Sequence, residues 1–391
     1  MNLNKTAFVN ILSAFLNNEQ AKYCPEADYA EIIHLAGIHN VTGIAVRQIM
    51  NFSPEEQDKI TNLSILKQQL GHTVINYEQK ISIKKRLVRD LEDAGIDYIF
   101  VKGASIRELY PIPALRTSGD TDLFFREDDY EKIKQLYSDK GFSFDTVNKN
   151  VITFMMDSDE IELHCESDFD NPYFKEIFKT AHHTGKHEYV LSLEDQLLYV
   201  LCHIAKHFKH CGAGIRMFMD ADVLLRHIEN FDINKFLLKC SRADIDIFAK
   251  AALALCREWF NTPVDINFDL NKNGLREMFE NTVIDGGSFG FEKRNLGDFY
   301  VNKAMSQSGK NGFISKISAI MLLIFPSAEH LKNTYIYCAK RPYLLPLAWF
   351  NRLFDGIFKR GKHSQNTLKQ IIETDKYTED YWKLLQELDI K

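Results

Sequence analysis

The sequence predicts an α+β protein in which a small mixed sheet is flanked by two helical regions. Apolar residues recur at helical spacing over about residues 5 to 95. Short apolar runs typical of strands follow, and helical patterns return from Leu193 onward. Since 391 residues exceed one ordinary core, we divide the chain into an N-terminal helical region (1–90), an α/β core (91–190) and a C-terminal helical region (191–391).

The N-terminal region is predicted to be a series of helices. The first has apolar residues at helical spacing, namely Phe8, Ile11, Leu12, Phe15 and Leu16. Ser53 and Pro54 resemble a helix start, because serine caps the first turn and proline suits its first position. A long helical pattern then runs from Glu56 to Ala94 and stops at Gly95.

The core begins with a buried strand at Tyr98–Val101. One or two helical turns follow over Ser105–Tyr110, and they end at Pro111 and Pro113 because proline cannot continue a helix. The remaining core elements are strand-like runs and one helical run followed by a glycine. The strands are Asp122–Phe125, Ser143–Val147, Val151–Met156 and Glu160–Glu166, and the helix is Asp128–Lys140.

The C-terminal region is predicted to be helical with one clear interruption. Three glycines in the six residues Asp285–Gly290 disfavour any regular element, so this segment is a predicted loop. The longest apolar run, Ile317–Phe325, ends at Pro326 and is too short to span a bilayer.

The composition is that of a globular protein, with 45% hydrophobic and 26% charged residues. A net charge of -6 gives no general attraction to nucleic acid or to anionic lipid. The 7 cysteines are scattered and form no CxxC pair. The N-terminus lacks the pattern of a signal peptide. We therefore expect reduced thiols and a cytoplasmic protein.

The strongest chemical signal is the pair Asp120 and Asp122, which enters an apolar run. Side chains alternate along a strand, so both carboxylates are predicted to lie on one face. Two such acids repel each other unless a cation lies between them, and Mg²⁺ prefers oxygen ligands that it shares with substrate phosphates. The pair therefore favours phosphoryl or nucleotidyl transfer. The alternative is a polar strand end with solvated acids.

Glu162 is a candidate third acid, because it is flanked by apolar residues and shares a strand face with His164. It is predicted to complete a metal site or to accept a proton from a hydroxyl group. The alternative is an exposed alternation on an edge strand. Glu160 and Glu166 lie on the same face by parity, and strand register is not readable from the sequence.

The ordered set of motifs resembles the nucleotidyltransferase superfamily, which includes polymerase β and the kanamycin nucleotidyltransferases. More narrowly, it resembles an uncharacterised bacterial nucleotidyltransferase family. The matching motifs are Lys102-Gly103, Tyr110-Pro111, Arg116, Gly119-Asp120-Thr121-Asp122, Glu162-Leu163-His164, His203-x-x-x-His207 and Arg216-x-x-x-Asp220. The likeness covers most of the chain, and the α/β core then corresponds to a nucleotidyltransferase core.

The resemblance implies roles for the core residues. It assigns one or two Mg²⁺ (or Mn²⁺) ions to three acids, Asp120, Asp122 and Glu162. It implies a phosphate-binding turn at Gly103 and Ser105, where the chain departs from the usual Gly-Ser or Gly-Gly by inserting Ala104. Positive charge against a triphosphate would come from Lys102 and Arg116. Each of these two has a surface salt bridge as its alternative.

The later motifs are open to two interpretations each. His203 and His207 lie four residues apart on a predicted helix, a spacing that can bind zinc, but we favour histidines near or under the nucleotide. Arg216 and Asp220 are also four apart, and they are expected to form a helix pair or to orient the cleft.

We therefore expect a Mg²⁺-dependent nucleotidyltransferase that moves a nucleoside monophosphate from an NTP to an acceptor hydroxyl and releases pyrophosphate. The acceptor is a small molecule or a protein, and the acidic chain argues against nucleic acid. The alternative is a non-catalytic nucleotide-binding or regulatory protein, which the inserted Ala104 favours. The basic and aromatic segment Lys340–Lys362 fits a membrane-surface helix or, as we favour, a buried face with a solvated rim.

Overall fold

A computed structural model shows many helices and a mixed five-stranded sheet, which confirms the predicted α+β fold. The chain forms two compact units: Met1–Ala205 with Gly214–Lys272, and Lys206–Ala213 with Asn273–Lys391. The three-part division of the sequence stays a prediction. The structure describes residues 1–147, 150–166, 171–210, 212–288, 290, 301, 313–326, 331, 341–358, 369 and 376–390.

Helices precede the sheet in the first unit. They are α1 (Leu3–Leu16), α2 (Tyr29–Ile38), α3 (Thr42–Ile49), α4 (Pro54–Gln57) and α5 (Leu63–Ala94). The predicted start at Ser53 is confirmed, because its side chain and that of Glu56 each accept a hydrogen bond from the other's backbone N–H. The long helical pattern predicted from Glu56 is confirmed over Leu63–Ala94, with its stop at Gly95, but its predicted start is wrong. α5 begins after Asn62, which is left-handed with φ 60°.

The sheet has the order β1-β2-β5-β4-β3. Its strands are β1 (Tyr98–Phe100), β2 (Asp120–Phe125), β3 (Phe144–Val147), β4 (Val151–Met156) and β5 (Asp159–Cys165). The central pair β2 and β5 is parallel, and the other neighbours are antiparallel. Between β1 and β2 lie the short helix α6 (Gly103–Ile106) and two 3₁₀ turns, Arg107–Leu109 and Pro113–Leu115. α7 (Tyr130–Asp139) follows β2.

One face of the sheet is apolar and packs against α5 and α7. Alternate residues of β2 and β5 point into this core, where they meet apolar side chains of the two helices. The core contains Leu123, Phe125, Ile161 and Leu163 from the strands, and Ile83, Leu87, Leu91, Ile133 and Tyr137 from the helices. The intervening residues of the same two strands therefore face the other side, which carries the polar chemistry.

The rest of the first unit is mainly helical. Its helices are α8 (Ile177–Thr180), α9 (Leu193–His210, which continues beyond this unit), α10 (Ile215–His227), α11 (Ile233–Arg242) and α12 (Asp246–Phe260). A small hairpin, β6 (His182–His183) with β7 (Tyr189–Val190), was not predicted, because strands of two residues are too short to show alternation.

The second unit contains α13 (Leu275–Asp285) and further helices at Phe313–Ile324, Leu345–Phe358 and Lys376–Glu387. α13 ends at Asp285, where the predicted glycine-rich loop begins, and Phe289 lies outside the described residues. No helix among the described residues is both long and apolar enough to cross a membrane.

The basic and aromatic segment is described only in part. Its helix exposes Phe350, at 67% of the side chain's accessible surface, and Leu347. The basic residues Lys340, Lys359, Arg360 and Lys362 lie outside the described residues.

Candidate active site

The parallel register of β2 and β5 brings the sequence-predicted acids together. Asp120 lies opposite Glu160, and Asp122 lies opposite Glu162. Residues in register on neighbouring strands point to the same side of a sheet, so these side chains share the polar face. Phe124 and His164, one further step along, share it as well. The sequence could not fix this register, and the structure places Glu162 beside Asp122.

Three possible metal ligands lie close together on this face, namely Asp122, Glu162 and His164. One ligand atom from each lies within 4.8 Å of the others. Nε2 of His164 is 3.1 Å from Oδ1 of Asp122 and 3.2 Å from Oε2 of Glu162. Carboxylates suit Mg²⁺ and Mn²⁺, whereas an imidazole also suits Zn²⁺. The group therefore fits a divalent metal ion without selecting one.

Lys102 supplies positive charge to this group. Its Nζ lies 2.6 Å from Oδ1 of Asp122. Burial lowers the pKa of Lys102, but the nearby carboxylates of Asp122 and Asp120 outweigh burial, so the pKa is raised and the amine is protonated. Burial raises the pKa of Asp122, yet Lys102 and His164 hold it well below its usual range. Asp122 is therefore ionised and paired.

Asp120 lies two residues before Asp122 on β2, and it does not belong to the group of Asp122, Glu162 and His164. Burial and the neighbouring charge of Asp122 raise the pKa of Asp120, although Lys102 acts in the opposite direction. Glu160 lies beside Asp120 and is largely exposed. The partial loss of solvent around its carboxyl and the charge of Glu162 raise its pKa. The polar face thus carries more negative charge than Lys102 neutralises, and a divalent cation would relieve the excess.

Arg116 is buried and paired with Asp220 on α10. Its Nη2 is 2.6 Å from Oδ2 of Asp220, and its Nε donates to Oδ1 at 3.1 Å. Tyr110 also donates its hydroxyl to Oδ1, at 2.6 Å. Arg216 donates to the backbone carbonyl of Thr117. Asp220 therefore pairs with Arg116, and of the two interpretations of Arg216 and Asp220, orientation of the cleft fits better than a pair within one helix.

The turn after β1 is occupied by contacts within the protein. Gly103 lies against Arg116, and a Cβ atom added at Gly103 would overlap Nη1 of that arginine. Ser105 donates its hydroxyl to the carbonyl of Lys102 at 3.1 Å. Lys102 itself has φ 52°, an uncommon conformation for a residue with a side chain. The turn thus positions Lys102 toward Asp122 and leaves room for Arg116.

His203 is linked to the polar face through aromatic rings. Its ring stacks on Tyr199 with the centroids 6.4 Å apart, and Tyr199 meets Phe124 edge-on at 6.1 Å. Phe124 in turn lies 5.5 Å from the ring of His164. Among the described residues, the group close enough to share one metal ion includes neither His203 nor His207.

A polar cavity of about 260 Å³ adjoins the start of β2. We call it the Arg107 pocket. It is lined by Tyr77 and Lys80 of α5, Arg107, the segment 116–119 and Ser158, among others. Gly119 directly precedes Asp120, so the pocket borders the carboxylates.

The sequence alone assigned no role to His164 or to Arg107. For His164 a signal existed, because its position two residues after Glu162 places both on one strand face. For Arg107 no local pattern in the sequence indicated a role.

The chain matches a known protein family. The model of a protein family described as an uncharacterised nucleotidyltransferase matches residues 25–261. That range contains the acids of β2 and β5, the turn after β1 and the pair Arg116 and Asp220. No curated protein matches the chain.

Proposed function

Because the chain belongs to this family of uncharacterised nucleotidyltransferases, we propose that it transfers a nucleoside monophosphate from an NTP to an acceptor hydroxyl. The acceptor oxygen forms a bond to the α-phosphorus, the bond from that phosphorus to the bridging oxygen breaks, and pyrophosphate leaves. The hydroxyl proton passes to a carboxylate of the polar face. The observation that carries the proposal is the register that puts Glu162 and His164 beside Asp122.

The residues that would hold Mg²⁺ or Mn²⁺ are Asp120, Asp122 and Glu162, with His164 as a further ligand. A bound divalent ion supplies charge stabilisation at the attacking and leaving oxygens. The carboxylates would hold such an ion on one face of the sheet, because they project from adjacent parallel strands. Lys102 already pairs with Asp122, so its ammonium group must move or share that carboxylate when an ion binds. The ammonium group of Lys102 would then be able to contact the triphosphate as a point charge.

The turn after β1 would contact the nucleotide phosphates through Lys102, Gly103 and Ser105. For Arg116, the paired contacts with Asp220 favour positioning of the loop before Asp120 over direct contact with phosphate. A guanidinium group whose charge is already neutralised adds little attraction for a second anion.

A non-catalytic nucleotide-binding protein is the second candidate. The contact that favours it is the ion pair between Lys102 and Asp122, since an internal cation can satisfy the carboxylate without any metal ion. This candidate predicts nucleotide binding without pyrophosphate release on any acceptor.

The test begins with thermal unfolding of the protein with each NTP, with and without Mg²⁺ or Mn²⁺. Pyrophosphate release is then measured over a panel of small-molecule and protein hydroxyl acceptors. Asp122→Asn should lose metal-dependent stabilisation and turnover. Asp157→Asn is the matched control, because its exposed side chain lies on the β4–β5 turn and pairs only with the exposed Arg86 among the described residues. Metal-dependent turnover that survives in Asp122→Asn would overturn the proposal.

The acceptor class and the location also belong to the proposal. A net charge of -6 disfavours nucleic acid as the acceptor and favours a small molecule or a protein. The described cysteines, Cys24, Cys165, Cys202, Cys240 and Cys256, are free, which supports a reducing compartment such as the cytoplasm. Contact with a membrane surface stays a less favoured proposal.

A further inference from the structure

Arg107 is a buried cation that no carboxylate neutralises among the described residues. Its exposed fraction is 7%, and it lines the Arg107 pocket. Nε donates to the backbone carbonyl of Arg116 at 3.2 Å, and Nη2 donates to the hydroxyl of Ser118 at 2.6 Å. Both acceptors are neutral oxygens. Nη1 forms no hydrogen bond among the described residues, and Cζ lies 5.9 Å from the ring centroid of Tyr77, which also lines the pocket.

The other two cationic side chains that line the pocket already have partners. Arg116 pairs with Asp220, and Lys80 pairs with Asp159. Asp159 is itself buried and also accepts a hydrogen bond from Thr121 at 2.6 Å. Among the described residues that line the pocket, Arg107 is therefore the cation without a carboxylate partner.

An uncompensated buried charge is costly, so its retention indicates that a ligand supplies the counter-charge. Burial and the neighbouring Arg116 lower the pKa of Arg107 to about 10, which still leaves the guanidinium charged at neutral pH. Asp159 and Glu108 attract Arg107 without forming an ion pair with it, and Asp159 pairs with Lys80.

The pocket also has the hydrogen-bonding groups that an oxyanion requires. Ser118 and Ser158 line it beside Arg107 and carry hydroxyl groups, whereas the hydroxyl of Thr117 already donates to the backbone carbonyl of Asn40. Arginine presents a planar fork of N–H donors that matches two oxygens of a carboxylate or a phosphate. We propose that the Arg107 pocket binds an oxyanion group, phosphate or carboxylate, of the acceptor substrate.

The assignment of this pocket to the acceptor substrate rests on the proposed nucleotidyl transfer. The volume of about 260 Å³ is below the roughly 300 Å³ at which sites for drug-sized ligands begin, so it suits one charged group better than a whole nucleotide. The pocket lies before Asp120, whereas the ligand group of Asp122, Glu162 and His164 lies further along the strands. The acceptor anion would therefore bind beside Gly119, and a metal ion would be held by other residues, Asp122, Glu162 and His164.

The first experiment measures binding of inorganic phosphate and of acetate to the full-length protein without metal ions. Thermal unfolding is followed in EDTA at constant ionic strength, with chloride as the reference anion. One of the two oxyanions should raise the melting temperature of the wild type more than chloride does, and that ion identifies the acceptor's charged group. Absence of any such shift overturns the proposal, whether or not the protein turns over an NTP.

Variants locate the site. Arg107→Gln should weaken binding of the effective anion about 10-fold or more, because a charge-assisted hydrogen bond is lost, and Arg107→Lys should weaken it less. Arg86→Gln is the matched control, since that side chain is 44% exposed and does not line the pocket. Asp122→Asn should keep anion binding. Unchanged binding in Arg107→Gln overturns the assignment, and Arg107→Lys keeps the test valid if Arg107→Gln fails to fold.

A competition experiment separates the acceptor from the nucleotide. If the pocket belongs to the acceptor, a saturating NTP with Mg²⁺ and the effective anion stabilise the wild type additively. If the anion is displaced by the NTP, the pocket belongs to the nucleotide and the acceptor assignment is overturned. Failure of the protein to bind any NTP counts against the proposed function alone, because anion binding was measured without it.

Discussion

Gly103 leaves the space that the guanidinium group of Arg116 occupies. A Cβ atom added to Gly103 would overlap Nη1 of Arg116 and would lie 2.9 Å from its Cζ. The backbone of Gly103 does not have a positive φ, so a side chain is excluded by space and not by backbone conformation. The glycine in the turn after β1 is therefore explained by a contact within the protein.

Gly103→Ala should destabilise the protein by about 1–3 kcal/mol, the usual cost of overpacking a filled site. The buried pair with Asp220 prevents Arg116 from moving away freely. Urea unfolding measures the change. Gly71→Ala is the matched control, because no atom lies within 4 Å of the added Cβ there and alanine favours the helix by roughly 0.5–1 kcal/mol. Equal stability of the two variants would contradict the steric explanation.

Asp220→Asn should cost about 3–5 kcal/mol, because it leaves Arg116 charged and buried without the carboxylate that neutralises it. The double variant Arg116→Met/Asp220→Leu removes both charges and should lose less stability than Asp220→Asn alone. Chemical unfolding of the two variants and of the wild type gives the comparison. A double variant that is less stable than Asp220→Asn would show that the pair contributes more than mutual neutralisation.

Asp120→Asn should stabilise the metal-free protein at neutral pH while it reduces turnover. The folded pKa of Asp120 is raised above its usual 3.8, so the folded state disfavours the ionised carboxyl. The wild type therefore loses stability as the pH rises through this folded pKa, and asparagine avoids that loss. The measurement is urea unfolding in EDTA at neutral pH and near the usual pKa. The advantage of Asp120→Asn should shrink at the lower pH, and an advantage that grows there would contradict the sign.

His164→Gln should weaken Mn²⁺ binding about 10-fold or more, the scale on which groups that support a metal site act. Titration followed by electron paramagnetic resonance measures the affinity. His182→Gln, an exposed histidine of β6, is the control. An unchanged affinity in His164→Gln would remove the imidazole from the site.

Much of the fold could be predicted from local patterns. β4 has the predicted bounds, and β2 and β5 begin within two residues of theirs, because alternation is read from adjacent residues. The break at Asn62 could not be predicted, since asparagine is also tolerated inside helices. Contacts between residues that are far apart in the sequence could not be predicted either. The contact between Arg116 and Asp220 joins residues 104 positions apart, and only the packed structure shows it.

The parallel register of β2 and β5 has a consequence for inactivation. A slip of one residue in β5 would turn Glu160 and Glu162 toward the apolar core and Leu163 away from it. The same slip in β2 would do this to Asp120, Asp122 and Leu123. Such a slipped sheet is far too costly to persist, so no half-assembled cleft accumulates. Residual activity of a heated sample should therefore equal its native fraction, and each surviving molecule should work at full speed.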